Sequence, residues 1–327
     1  MTQLPLVKSE RVQVATSRYL DLIAPPARLR ESLAIEVSPR AFLPYLDDLQ
    51  ADWVASVATP AFKLIRQQQG TLTSFASIGT GTGLDALAAI ETLGVSRVGI
   101  TDVHDDVVST AARNISHNLL TPGSVEIESG FGDLLSPLAH YKPRYDLIYE
   151  NLPNVPINDA AQIANERISS GHVPPRPEAV PESVQRQLLT LHYLALKQAR
   201  DFLAPGGSVL SMLGGRVPLA AFFEMVQLAG LRPEIFTYTW KVQAEPESMI
   251  RGHADRQREG FGPFHFYRVS DLARIFAGID LATSGKHALE LERSLVSHQL
   301  DANQALAAFR NGEQIGHTAV VLRSHLT

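Results

Sequence analysis

The chain has 327 residues, 45% of them hydrophobic and 19% charged, with a formal net charge of −5. Such a chain can bury a sizeable core as one large soluble domain or one domain with appendages. No basic run stands out, so the positive stripe of a dedicated nucleic-acid binder is missing. The absence of cysteine excludes a disulfide framework, a thiolate nucleophile and a cysteine-built zinc site.

The opening MTQLPLVKSERVQ lacks the charged-then-apolar layout of a secretory leader, and no apolar run approaches a membrane span. A cytoplasmic protein without membrane contact is expected. From Arg28 to about Gly70 the apolar residues suggest helices: Leu29, Leu33 and Ile35, then Phe42, Leu43 and Leu46, then Trp53 to Ile65. Pro39, Pro44 and Pro60 punctuate them, as prolines do at helix ends. Residues 1–70 are thus expected to form a helical extension or lid.

Next comes Ser74-Phe-Ala-Ser-Ile-Gly-Thr-Gly-Thr-Gly-Leu-Asp85, a short apolar run broken by Gly79, Gly81 and Gly83. Leu84, Leu87, Ile90 and Leu93 then recur at helical spacing, and Val98-Gly99-Ile100 leads to Thr101-Asp102. That is strand, glycine turn, helix and second strand, with an acid about twenty residues beyond the turn. Glycine there lets backbone approach a ligand where a Cβ would collide. Asp102, at the tip of the second strand, suits a ribose hydroxyl pair.

Residues 105–119 continue as a helix, Val125–Glu128 as a third strand reaching Gly132-Asp133, and Asp146–Tyr149 as a fourth. The fourth ends in Glu150-Asn151-Leu152-Pro153-Asn154. Alternating strands and helices imply a parallel sheet, whose ligands gather at the strands' carboxyl ends. The polar stretch 157–180 leaves from that rim and is expected to be a substrate lid. A long helix over 182–203 and a fifth strand at 208–213 follow. Strands are expected at Pro233–Trp240 and Pro263–Arg268, flanking a loop rich in Glu, Arg and His. Helices at Ser270–Ile279 and Leu281–Leu300 and a final strand at Thr318–Leu322 complete the reading.

The series from Ile78 to Asn154 resembles class I S-adenosylmethionine-dependent methyltransferases, and within them the amino-group methylating branch with an Asn-Pro-Pro-Tyr type motif. That resemblance spans roughly residues 73–270. It implies a Rossmann-like α/β fold, a mostly parallel sheet with helices on both faces, over residues 71–270. Residues 271–327 would be a helical and strand extension. It also implies S-adenosyl-L-methionine as cofactor, held by Gly79, Thr80, Gly81, Gly83, Asp102, Val103, Gly132, Asp133 and Asn151. Asn151 and Pro153 would receive the nucleophilic nitrogen. By its own position Glu150 either adds negative charge to the site or simply ends the strand, Tyr149 is either core or a substrate contact, and Asn154 would face the substrate. Ala204-Pro205-Gly206-Gly207 is similar to the turn before that family's fifth strand.

Three departures narrow the expectation. Ser77 stands where an acid usually precedes the first glycine. Leu152 replaces the middle proline. Asn154 replaces the terminal aromatic, which removes the ring that would stack on a nucleobase and favours a small amine or amino acid. A methyl on sulfonium is already activated, so the protein mainly aligns a neutral nitrogen and accepts its N–H bonds.

Several alternatives share these residues. The cofactor's own amino nitrogen could attack its γ-carbon and expel methylthioadenosine, as in azetidine-2-carboxylate synthases. A protein glutamine-type N-methyltransferase would use residues 1–70 for docking. Gly81-Thr-Gly83-Leu-Asp-Ala86 also fits the permissive dinucleotide fingerprint of an NAD(P)-binding oxidoreductase, although no Tyr-x-x-x-Lys pair accompanies it. A cofactor-binding regulator without turnover would show the same glycine turn. Asp85 reads as a helix N-terminal acid. His172, Tyr193, Arg251 and His253 are further candidates for substrate contact. The eleven histidines show no metal-binding spacing. The expected partner is a small molecule, and a homodimer is compatible with the chain.

Overall fold

The computed structural model describes residues 10–142, 144–165 and 167–327. The first nine residues of the leader reading, and two positions at 143 and 166, lie outside them. Twelve strands are described: β1 (Glu10–Ala15), β2 (Ser32–Val37), β3 (Ser74–Ile78), β4 (Arg97–Asp102), β5 (Glu126–Phe131), β6 (Tyr145–Glu150), β7 (Val155–Pro156), β8 (His172–Val173), β9 (Leu203–Gly215), β10 (Leu231–Val242), β11 (Tyr267–Arg268) and β12 (Ile315–Leu326).

The main sheet runs β10-β12-β9-β6-β3-β4-β5, with β11 pairing an end of β12. Neighbours from β9 to β5 are parallel, whereas β12 is antiparallel to both β9 and β10. The chain builds outward from β3 through β4 to β5, then returns to lay β6 on the other side of β3. That reversal opens a crevice at the carboxyl ends of β3 and β6, where open α/β sheets bind ligands. The fold is the expected Rossmann-like one.

Both faces of the sheet are covered, and the strands show it. Phe75, Leu147, Tyr149, Leu210 and Met212 pack into one core with the helices Thr59–Gln69, Leu84–Leu93 and Asp105–Asn118. Their strand neighbours Ala76, Ile148, Val209 and Leu213 point into a second core with the helices Thr190–Ala199 and Leu219–Leu228. Strands apolar on both sides read as continuous hydrophobic runs, which is why β3, β6 and β9 stand out in the sequence. Among the described residues, no helix is long and apolar enough to cross a membrane.

Several segments depart from expectation. The helical reading of 28–70 fails over more than its first half: β2 pairs antiparallel with β1, and helix begins only at the π turn Val54–Ala58. The cause lies elsewhere in the chain. Asn114 and Asn118, four apart on one helix, present their amides like a strand edge. Asn114 accepts from Glu36 N–H at 3.0 Å and donates to its carbonyl at 2.8 Å, and Asn118 does the same for Ala34 at 2.9 and 3.1 Å.

The long helix over 182–203 is also broken, into Glu182–Arg186 and Thr190–Ala199, by Leu188 in a left-handed conformation at φ 58°. Its carbonyl accepts from Asn154 Nδ2 at 2.9 Å, so the break is tied to the rim of the sheet. The polar loop flanking the expected Pro263–Arg268 strand is a helix, Pro246–Arg258, and that strand shrinks to the two residues of β11. The helix expected over 281–300 is divided, Leu281–Ser284 and Ala288–Leu295 being its α-helical parts, and Ala302–Arg310 follows.

Candidate functional site

A cavity of about 330 Å³ sits over the β3–β6 crevice. Its size is near the lower end of the range for small-molecule sites, roughly 300–1,000 Å³. Each strand end contributes in order. Gly132 and Asp133 come from β5, Asp102 and Val103 from β4, Gly79, Thr80 and Gly81 from β3, and Tyr149 and Asn151 to Asn154 from β6 and its loop.

At the glycine turn, Gly81 has φ 53° and a Cβ placed on it would meet nothing within 4 Å, because it faces open cavity. Its N–H points to Asp102 Oδ2 at 3.4 Å. Gly83 is different. A Cβ there would press on Ala111 at 3.3 Å, so this glycine serves helix packing and does not line the cavity. Burial pushes the Asp102 carboxyl up to about 6, against the backbone N–H groups of Gly81 and His104 that favour its charge.

Ser77 does not leave the turn without an acid. Its hydroxyl donates to Asp85, which also accepts from Thr80 Oγ1 at 3.1 Å and lines the cavity while 4% exposed. Burial raises the Asp85 carboxyl to about 6. Reading Asp85 only as a helix-terminal acid missed this placement. The compensating Ser77–Asp85 pair, eight residues apart across the turn, was the available signal.

The strand-end residues after β6 fall into three kinds. The side-chain amide of Asn151 has no hydrogen-bond partner among the described residues and belongs to the cavity wall. Asn154 also reaches the wall, with its amide nitrogen donating to Leu188. Glu150, expected at the rim, turns inward instead: fully buried, it is held by His192 Nδ1 at 2.7 Å and by Leu152 N–H at 3.3 Å. Glu150 alternates to the face packed by the helix Thr190–Ala199, which carries His192, and that is the physical reason. Glu150→Ala should therefore act on stability, leaving His192 Nδ1 without a partner in the core at about 1–3 kcal/mol. Urea unfolding checks it. Normal stability with lost turnover would return Glu150 to the reacting centre.

Tyr149 is 2% exposed, packed against Phe62 and Phe75 with ring centroids 5.6 and 6.0 Å away, yet touches the cavity. Asp133 accepts from both ends of Arg176, at 2.6 and 3.1 Å, and from Gln198 at 3.3 Å. A carboxylate offers about four lone-pair sites, so one stays open for a ligand's N–H.

Two segments close over the crevice. Residues 40–45 and 51–54 line it from the N-terminal side, and Ser169 to His172, Pro174 and Arg176 from the 157–180 stretch. They are joined: Ser170 Oγ donates to Arg40 O at 3.1 Å, His104 Nε2 meets Ser169 Oγ at 2.9 Å, and Arg40 pairs with Asp106. Asp52 anchors the N-terminal strap, accepting from Tyr19 OH at 2.8 Å and from the N–H groups of Tyr45 and Ala55 at 3.1 and 2.9 Å. Of the further candidates, His172 and His253 reach the cavity. Tyr193 is core, and Arg251 pairs with Glu247 on the surface. Among the described residues no cluster of three or more acidic or histidine side chains could hold a metal ion.

With the geometry in place, comparison with known proteins adds the following. No protein-family model and no curated protein matches the chain. Solved structures do. The chain is similar to a ribosomal protein L11 methylase from Lactobacillus delbrueckii subsp. bulgaricus, with 18% identity over 57% of this chain and 72% of that one, TM-score 0.37. It is similar to the YcgJ protein from Bacillus subtilis, with 13% identity over 82% and 99%, TM-score 0.42. A methyltransferase from Pyrococcus furiosus follows, with 17% identity over 63% and 82%, TM-score 0.38. Likenesses this distant decide neither activity nor substrate. The fold stands on the chain's own strand order.

Proposed function

We propose that this protein is an S-adenosylmethionine-dependent methyltransferase acting on the nitrogen of a small amine-bearing molecule. One observation carries the reading: Asp102, the open face of Gly81 and the uncommitted amide of Asn151 bound a single small cavity at the point where strand order reverses. The cradle fits the cofactor, because a Cβ at Gly81 would enter the space a ligand needs. Asp102 would accept hydrogen bonds from a ribose hydroxyl pair, and the remaining acceptor site of Asp133 from an adenine amino group.

When bound, S-adenosylmethionine supplies a methyl group on a sulfonium, which a neutral nitrogen can take without a strong general base. The protein's part is to hold that nitrogen. The Asn151 amide oxygen accepts its N–H and favours the positive charge that develops on it. Pro153 stiffens the loop that carries the amide. The two closing segments exclude water, and the cavity's modest volume suits a small acceptor better than a folded protein surface.

Mass spectrometry of the purified protein tests this, first with S-adenosylmethionine alone and then with pooled small metabolites. S-adenosylhomocysteine formed only with the pool, together with a product heavier by one methylene, supports methyl transfer. Methylthioadenosine formed without any acceptor would overturn it in favour of ring closure within the cofactor.

A further inference from the structure

One cation on the cavity wall has no acid beside its guanidinium among the described residues. Arg216 follows Gly214 and Gly215 at the end of β9, is 9% exposed and lines the cavity. Its guanidinium has no carboxylate partner among the described residues. Nε and Nη2 both donate to Gln243 Oε1, at 3.1 and 2.7 Å. A guanidinium has five N–H donors, so three remain, and two of them lie along the Nη1–Nη2 edge. That edge is the fork that grips a carboxylate with two parallel hydrogen bonds.

The backbone makes room for this group. A Cβ on Gly214 would collide with Nη1 and stand 2.8 Å from Cζ. The neighbourhood is basic as well. The charge of Arg216 helps push His253 down to about 3 and Lys241 to about 7, in both cases after burial itself. Lys241 is committed, donating to the carbonyls of Ala51 and Val242 at 2.7 and 3.0 Å. The acids nearby are engaged too: Asp52 is held as described, and Glu245 accepts from Tyr45 OH at 3.1 Å. A buried guanidinium left in this state is costly, and an anionic ligand would offset the cost.

The strand order places it. β9 is the neighbour of β6, so Arg216 lies one strand beyond Asn151 and two beyond the glycine turn. Strands are spaced by about 4.8 Å, and because Glu150 pairs with Ser211, Arg216 stands further out along its strand than Asn151 does on β6. Arg40 and Arg176, the other guanidiniums on the wall, are paired with Asp106 and Asp133. One free fork matches a singly charged carboxylate better than a phosphate dianion.

We propose that Arg216 is a carboxylate-binding subsite and that the methyl acceptor is an amino acid, its carboxylate held by Arg216 and its amine by Asn151. This rests on the methyl-transfer reading. The test pairs calorimetry of S-adenosylhomocysteine with turnover on the proteinogenic amino acids and their carboxamides. In Arg216→Gln the KM of the preferred amino acid rises about 10- to 100-fold, as for a lost charge-assisted bond. Affinity for S-adenosylhomocysteine stays within about twofold, and the preference for acid over carboxamide disappears. Two results overturn the proposal. One is wild-type enzyme using the carboxamide as well as the acid, a comparison that needs no folded variant. The other is a loss of S-adenosylhomocysteine affinity in Arg216→Gln to match the loss for the amino acid, which would assign the fork to the cofactor's own carboxylate. If the wild type binds no S-adenosylhomocysteine, the methyl-transfer reading fails separately. Thermal stabilisation by the amino acids, present in wild type and absent in Arg216→Gln, then still reads the subsite, and equal stabilisation of both refutes it.

Discussion

Asn151→Ala is expected to lower kcat by about 10²- to 10³-fold, the usual effect of removing one preorganised group that stabilises developing charge. Affinity for S-adenosylhomocysteine should change no more than about threefold, because in the proposed site Asp102, Asp133 and the glycine turn would carry most of that binding. Stability should hold as well. The Asn151 amide has no partner among the described residues, and such side chains usually contribute within about 0.5 kcal/mol. Single-turnover kinetics, calorimetry and urea unfolding separate the three quantities. Near-normal turnover would remove Asn151 from the reacting centre. A large stability loss would make it a structural residue like its neighbour Glu150.

Asp102→Asn should push stability and binding in opposite directions. The folded protein holds this carboxyl at about 6, above its ordinary 3.8, because burial disfavours the charge. A raised folded value means that the folded state binds the proton more tightly. Its favourable contribution is full below about pH 4 and is lost as pH rises through about 6. At pH 7 to 8 the wild type therefore carries an unfavourable half-buried charge, worth ~3 kcal/mol at 1.36 kcal/mol per pH unit. The neutral amide does not, so the variant should be the more stable protein at pH 7.5 and gain little at pH 4. Cofactor affinity should fall at least about tenfold, since the ribose loses a charged acceptor. Denaturation at the two pH values and a binding titration check both halves. A variant that is destabilised at neutral pH would show that the charged form is better solvated in the crevice than its burial implies.

The Asp102 result bears on how the site is built. Asp85, buried, and Asp102, half-buried, are both raised to about 6, one on each side of Gly81. Buried acids without cationic partners are unfavourable in the free protein and become useful when a ligand's donors arrive. Arg216 is the same device with opposite sign at the far end of the cavity. Between them the wall offers acceptors at the β3–β4 end and a donor fork beyond β6, a polarity that matches a cofactor's hydroxyls on one side and a separate acceptor's carboxylate on the other.

The sequence by itself determined the sheet and the place of its crevice. Strands covered on both faces must be apolar throughout, the glycine turn must interrupt them, and an acid at the tip of β4 must follow at fixed distance. These are local signals, so the chain announces them. Tertiary structure alone decided what the rest of the rim became. β2 is a strand because Asn114 and Asn118, some eighty residues away, offer it an edge, and periodicity within 28–70 holds no trace of them. Glu150 left the site because His192 waits behind the sheet, and Asp85 entered it because Ser77 and Thr80 hold it there. Gly214-Gly215-Arg216 could have been noticed as two glycines before a cation at a strand end. That its fork lacks an acid, and that Arg216 lines the same cavity as Asn151, depends on Gln243, Asp52 and Lys241 being where the fold carries them. Hydrogen-bond capacity is used up by partners distant in sequence, and which groups stay free for a ligand is settled only once those partners meet.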